Sequence, residues 1–150
     1  MRVTTAFNKM LEIRGAAVAG VSFTAEGIVV SRRRRRRKYA CPCGEKTWAS
    51  YDRSLRRWRH LDSGSTRCYL EAEIVRVDCR ACRRVRTEEV PWARPGSRHT
   101  RDFQDVVCYL AQRADKATIC RLLRVSFEAV ARIVQSYVVE QLEDTRLEHL

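Results

Sequence analysis

The chain has 150 residues and a formal charge of +12, from 30 Lys and Arg against 18 Asp and Glu. That length fits one ordinary domain or two small ones, and a composition 45% hydrophobic and 32% charged excludes a disordered chain. No stretch approaches the ~20 apolar residues of a membrane span, and no basic segment leading into an apolar core opens the chain, which argues against secretion. A pI near 10.0 makes nucleic acid the leading partner, because Lys and Arg displace counterions condensed on phosphates. Neither a membrane nor a small-molecule substrate is expected.

The first recognisable elements are two short strands, 17–23 and 27–30, with Thr24-Ala25-Glu26-Gly27 as the hairpin loop. Seven consecutive cations follow: Arg32, Arg33, Arg34, Arg35, Arg36, Arg37 and Lys38. Residues 31–60 carry twelve cations against two anions, so nearly all the excess charge sits in this block. A disordered tail or localisation signal is the plain reading of such a run. Its internal position favours an extension of the second strand that sends cations to both faces and grips a nucleic-acid backbone.

Seven cysteines are present, an odd count that argues against a disulfide framework. Four form two close pairs, Cys41-Pro42-Cys43 and Cys79-Arg80-Ala81-Cys82. Two such turns brought together by a hairpin, here strands 56–62 and 66–77 around Asp62-Ser63-Gly64-Ser65, are how a zinc ribbon presents four thiolates to one ion. The spacing therefore predicts one structural Zn²⁺ on Cys41, Cys43, Cys79 and Cys82, although the first pair is shorter than the usual C-x2-C. Reduced structural thiols are the bland alternative. Cys68, Cys108 and Cys120 sit in apolar patterns and read as packing residues. The three histidines are scattered, and no His–Cys catalytic pair suggests itself.

Pro91–Gly96 is turn-rich and reads as a linker. Beyond it the apolar period becomes helical: helices are expected at roughly 101–113, 116–123 and 127–142. Ile119, Leu123, Val125, Val130 and Ile133 occupy the positions that a helix-turn-helix buries, with Ser126 as cap of the last helix. In that motif the start of the last helix faces base edges, so Ser126, Phe127, Glu128, Ala131, Arg132 and Gln135 are the candidate readers. Arg132 suits guanine and Gln135 adenine, through paired hydrogen bonds. A plain three-helix bundle is the alternative.

The expected fold class is α+β, a small β-hairpin and zinc-ribbon domain followed by a three-helix helix-turn-helix domain. The divisions are an N-terminal hairpin with its Arg-rich strand over 1–40, a zinc ribbon over 41–90, a linker over 91–99, a helix-turn-helix over 100–142 and a tail over 143–150.

This order of parts, an Arg-rich strand, Cys41-Pro42-Cys43-Gly44, Cys79-Arg80-Ala81-Cys82-Arg83-Arg84 and then a helix-turn-helix, resembles the N-terminal half of ISL-three family transposases, which are bacterial insertion-sequence enzymes. The resemblance covers residues 18–150. It implies that Cys41, Cys43, Cys79 and Cys82 match the zinc ligands and that Thr118–Gln135 matches the helix-turn-helix. It further implies double-stranded DNA, namely terminal inverted repeats, as partner, a homodimer as an admissible assembly, and a cytoplasmic, nucleoid-associated location. The catalytic carboxylates of that family belong to a following domain, so no catalytic residue and no enzymatic activity are expected in these residues. A stand-alone transcription regulator and a zinc-ribbon scaffold for RNA or protein are the alternative functions.

Overall fold

The computed structural model describes residues 1–12 and 15–147, which form two units that divide between Thr100 and Arg101. The first unit opens with helix α1 (Val3–Leu11), which the sequence reading did not anticipate. Nine residues are too few for a stable isolated helix. Phe7 and Leu11, one turn apart, hold it by packing on the sheet core, and the Asn8 side-chain oxygen accepts the Val18 N–H at 3.0 Å. The described chain therefore has four helices, not the three expected; the extra one belongs to the sheet unit.

Strands β1 (Ala16–Thr24) and β2 (Gly27–Arg34) form the first hairpin, with Ala25 and Glu26 in its loop. The second hairpin, β5 (Ser50–Ser63) and β6 (Thr66–Cys79), is longer than expected. Between them lie the two-residue strands β3 (Tyr39–Ala40) and β4 (Lys46–Thr47), and β7 (Arg84–Thr87) follows β6. The two long hairpins are one sheet, ordered β1-β2-β6-β5, with β7 also on β6. Their junction is a parallel pairing of β2 on β6, from Ile28 opposite Cys68 to Arg32 opposite Ala72. Gly27 makes that junction possible: its φ is 141°, and a Cβ there would lie 2.3 Å from the Arg67 carbonyl oxygen.

One sheet face carries the main core: Ile28, Val30, Trp58, Cys68, Leu70, Ala72 and Ile74. Trp92 and Ala93 complete it, with Trp92 edge-on to Trp58 at 5.5 Å between ring centroids. The expected linker over 91–99 is thus corrected. Its large aromatic side chain turns inward, and its end pairs with β5: Arg59 N–H donates to Arg98 O and Thr100 N–H to Arg59 O, both at 2.9 Å. The other face buries a smaller group, Tyr39, Val75 and Val77.

The second unit is three helices: α2 (Arg101–Ala111), α3 (Lys116–Leu123) and α4 (Phe127–Leu147). Phe103, Val107, Ile119, Val130 and Ile133 supply buried apolar side chains. The α4 helix runs past 142, into the stretch expected as a tail, because no Gly or Pro interrupts Glu140–Leu147. The remainder of that tail, 148–150, lies outside the described residues. No described helix is long and apolar enough to cross a membrane.

Candidate functional site

The β3–β4 hairpin bends back at Cys41-Pro42-Cys43-Gly44. Gly44 N–H donates to Cys41 O and Cys41 N–H to Glu45 O, both at 2.9 Å, and Gly44 takes a φ of 98° that a side chain would resist. The second turn, Cys79–Arg83, links β6 to β7 and closes on Arg83 in the left-handed region. These turns bring four thiols together: Cys41 Sγ lies 3.8 Å from Cys82 Sγ and Cys43 Sγ 3.6 Å from Cys79 Sγ, and all four lie within 4.8 Å of one another. Four sulfurs arranged tetrahedrally at the usual Zn–S bond length of about 2.3 Å stand about 3.8 Å apart. The donor set and its spacing fit such an ion, and the one-residue spacer of the first pair does not prevent it.

The thiols hold protons unequally. The Cys82 backbone N–H, aided by the neighbouring thiols, holds Cys79 down to about 7 against the cost of burial. At Cys41 the Cys43 backbone N–H lowers the thiol, but burial and the three facing thiols more than offset it and push Cys41 up to about 12. Cys68 and Cys108 are buried elsewhere, and Cys120 is half-buried in α3.

The cationic run divides in two. Strand β2 ends at Arg34, so the run does not continue as the extended arm expected. Arg34 pins the segment that follows: its Nη1 and Nη2 donate to the Glu88 carboxylate at 2.8 and 2.7 Å, while its Nε and Nη2 donate to the carbonyls of Arg36 and Lys38 at 3.0 Å. Its guanidinium also lies over the Tyr39 ring at 4.6 Å. Arg32 is 6% exposed, stacks over Trp92 at 5.4 Å and reaches Ala16 O at 3.3 Å; its Nε and Nη1 have no partner. Burial, with the charge of Arg35 beside it, lowers the Arg32 pKa. Arg33, Arg35, Arg36, Arg37 and Lys38 are exposed. The pairing of Arg34 with Glu88 leaves no local signal in the sequence, because 54 residues separate the two.

In the helical unit, Asp115 caps α3 by accepting the Thr118 N–H at 3.4 Å and the Thr118 hydroxyl, contacts that lower its pKa. Arg124 takes the left-handed conformation (φ 52°) that ends α3, where glycine is the easier choice. Ser126 then caps α4, its hydroxyl accepting the Ala129 N–H at 3.2 Å. Val130 and Ile133 turn inward at 0% and 4% exposure, which leaves Ser126, Phe127, Glu128, Ala131, Arg132 and Gln135 together on the exposed side.

Residues 37–82 match the zinc-finger of transposase IS204/IS1001/IS1096/IS1165, and residues 88–138 match the helix-turn-helix domain of transposase family ISL3. Over 93 residues, 61% of its length, the chain is 40% identical to the transposase for insertion sequence element IS1557 in two strains of Mycobacterium tuberculosis. It spans about a fifth of those relatives, 21% of their length. No solved structure matches the chain at a significant level.

Proposed function

From a chain similar to the N-terminal region of ISL3-type transposases, we propose a zinc-dependent, sequence-specific module for double-stranded DNA that recognises the terminal inverted repeats of an insertion sequence. In this reading Cys41, Cys43, Cys79 and Cys82 hold a structural Zn²⁺, with no open position for water or substrate. The ion fixes the β3–β4 hairpin to the β6–β7 turn, at the end of the sheet from which the exposed cations Arg35–Lys38 depart. Those cations contact phosphates, and the exposed start of α4 reads bases. The observation that carries the reading is the exposed face of Ser126, Phe127, Glu128, Arg132 and Gln135 on a capped helix whose opposite side is buried.

Arg132 is the test. If it reads guanine, Arg132→Ala weakens the cognate duplex by ~1–3 kcal/mol and relaxes preference at one or two base pairs only. A phosphate contact would instead lower affinity equally on every sequence, and a solvated arginine would change it by less than about 0.5 kcal/mol. Binding of wild type and variant to a terminal-repeat duplex and its single-base variants, at one salt concentration, separates the three. An unchanged base profile sinks the readout assignment.

A further inference from the structure

We propose that the segment Trp48–Tyr51, beside the cysteine cluster, is a stacking site for unpaired bases, so that the sheet unit binds single-stranded DNA independently of any duplex recognition by the helices. Large aromatic residues are ordinarily drawn into the core, and the other two tryptophans obey: Trp58 is 1% and Trp92 8% exposed. Trp48 is 64% exposed and Tyr51 61%. Each has a cation set on its ring. Lys38 Nζ lies 5.5 Å from the Trp48 ring centroid, and Arg76 Cζ lies 5.1 Å from that of Tyr51.

The backbone at Tyr51 is also built for display. On β5, Ser50 pairs with Val77 and Asp52 with Arg76, which leaves Tyr51 as an extra residue with no partner on β6. A bulge of this kind re-aims a side chain. Asp52 then fixes Arg76 in place, its two carboxylate oxygens accepting from Nε and Nη2 of the guanidinium.

Both exposed rings offer a π-face to a planar group; at Trp48 the Lys38 ammonium adds a positive charge for an anion, while at Tyr51 the Arg76 guanidinium, paired with Asp52, backs the ring. Nucleotides in a single strand supply both, whereas a duplex hides its base faces inside the stack. The surrounding charge agrees: Lys38, Lys46 and Arg56 are exposed in the same block of chain, which suits a phosphate backbone. A protein partner drawn to this surface would have to bury those cations against its own apolar contacts.

The zinc-loaded 150-residue chain is titrated with a short thymidine homopolymer and, separately, with an unrelated duplex of the same length at the same salt. Because Trp48 is the exposed tryptophan, the homopolymer should quench its fluorescence. Trp48→Ala and Tyr51→Ala should each weaken binding of a dye-labelled homopolymer roughly tenfold, while Trp48→Phe retains most of it. Duplex affinity should stay within about twofold in all three, and Arg132→Ala should leave homopolymer binding unchanged. Both aromatic sites are exposed, so zinc content and circular dichroism should match wild type. Homopolymer affinity within about twofold of wild type in both alanine variants overturns the proposal. So does an equal loss on duplex and homopolymer, which would make these residues part of a general electrostatic surface. Failure of duplex recognition alone leaves this site standing.

Discussion

A buried arginine without a counter-ion is costly, and Arg32 is such a residue. Two of its donors are unpartnered beneath Trp92, a situation that costs about 1–3 kcal/mol per unsatisfied group. Arg32→Met keeps the volume and removes the charge. It should raise the stability of the sheet unit in urea, by about 1 kcal/mol or more, without lowering duplex affinity. A loss of stability would show that the stacking on Trp92 outweighs the missing hydrogen bonds. Glu88 is the opposite case, since its two oxygens hold the Arg34 fork. Glu88→Ala should destabilise by about 1–2 kcal/mol, read in the same denaturation assay. At the cysteines, Cys43→Ser and Cys82→Ser should each lose the metal in elemental analysis, whereas Cys68→Ser, Cys108→Ser and Cys120→Ser should keep it.

Among the elements, those with a strong local code were readable. The four thiols could be grouped from spacing, because chelation demands close pairs, and the last three helices from apolar periodicity and the serine cap. Ser126→Ala should therefore cost the helical unit about 1 kcal/mol, seen as a lower midpoint of its thermal transition. Other elements were hidden for physical reasons. The α1 helix is short and has no side-chain cap, so only its packing on the sheet explains it. Strand β5 begins six residues before the expected 56, because 50–57 is exposed on both faces and shows no alternation. Strand β7 is four residues with three of them exposed. Trp92, amid prolines and an arginine, carries no mark that it faces inward. The union of β2 with β6 is a long-range parallel pairing that no turn announces.

For the whole molecule, the charge that dominates the composition is only partly available to a ligand. Arg32 and Arg34 serve the fold, and Arg33, Arg35, Arg36, Arg37 and Lys38 remain exposed. Replacing Arg33, Arg35, Arg36 and Arg37 by serine should weaken all duplexes together and flatten the salt dependence by about 0.9 slope unit per lost phosphate contact. Arg32→Met should leave that slope unchanged. An unchanged slope in the fourfold variant would remove the run from the DNA contact surface.

The joining of β2 to β6 also sets a schedule for synthesis. Ile28 pairs with Cys68, forty residues later, so at ribosomal rates the outer edge of β2 waits roughly 2–8 s for its partner. An unpaired apolar strand, here Gly27-Ile28-Val29-Val30, is a template for association with other nascent chains. The cations follow it directly in the chain, and like charge on two copies opposes their association. The fourfold serine variant should accordingly accumulate as insoluble protein during rapid expression, while its purified soluble fraction unfolds at the wild-type midpoint.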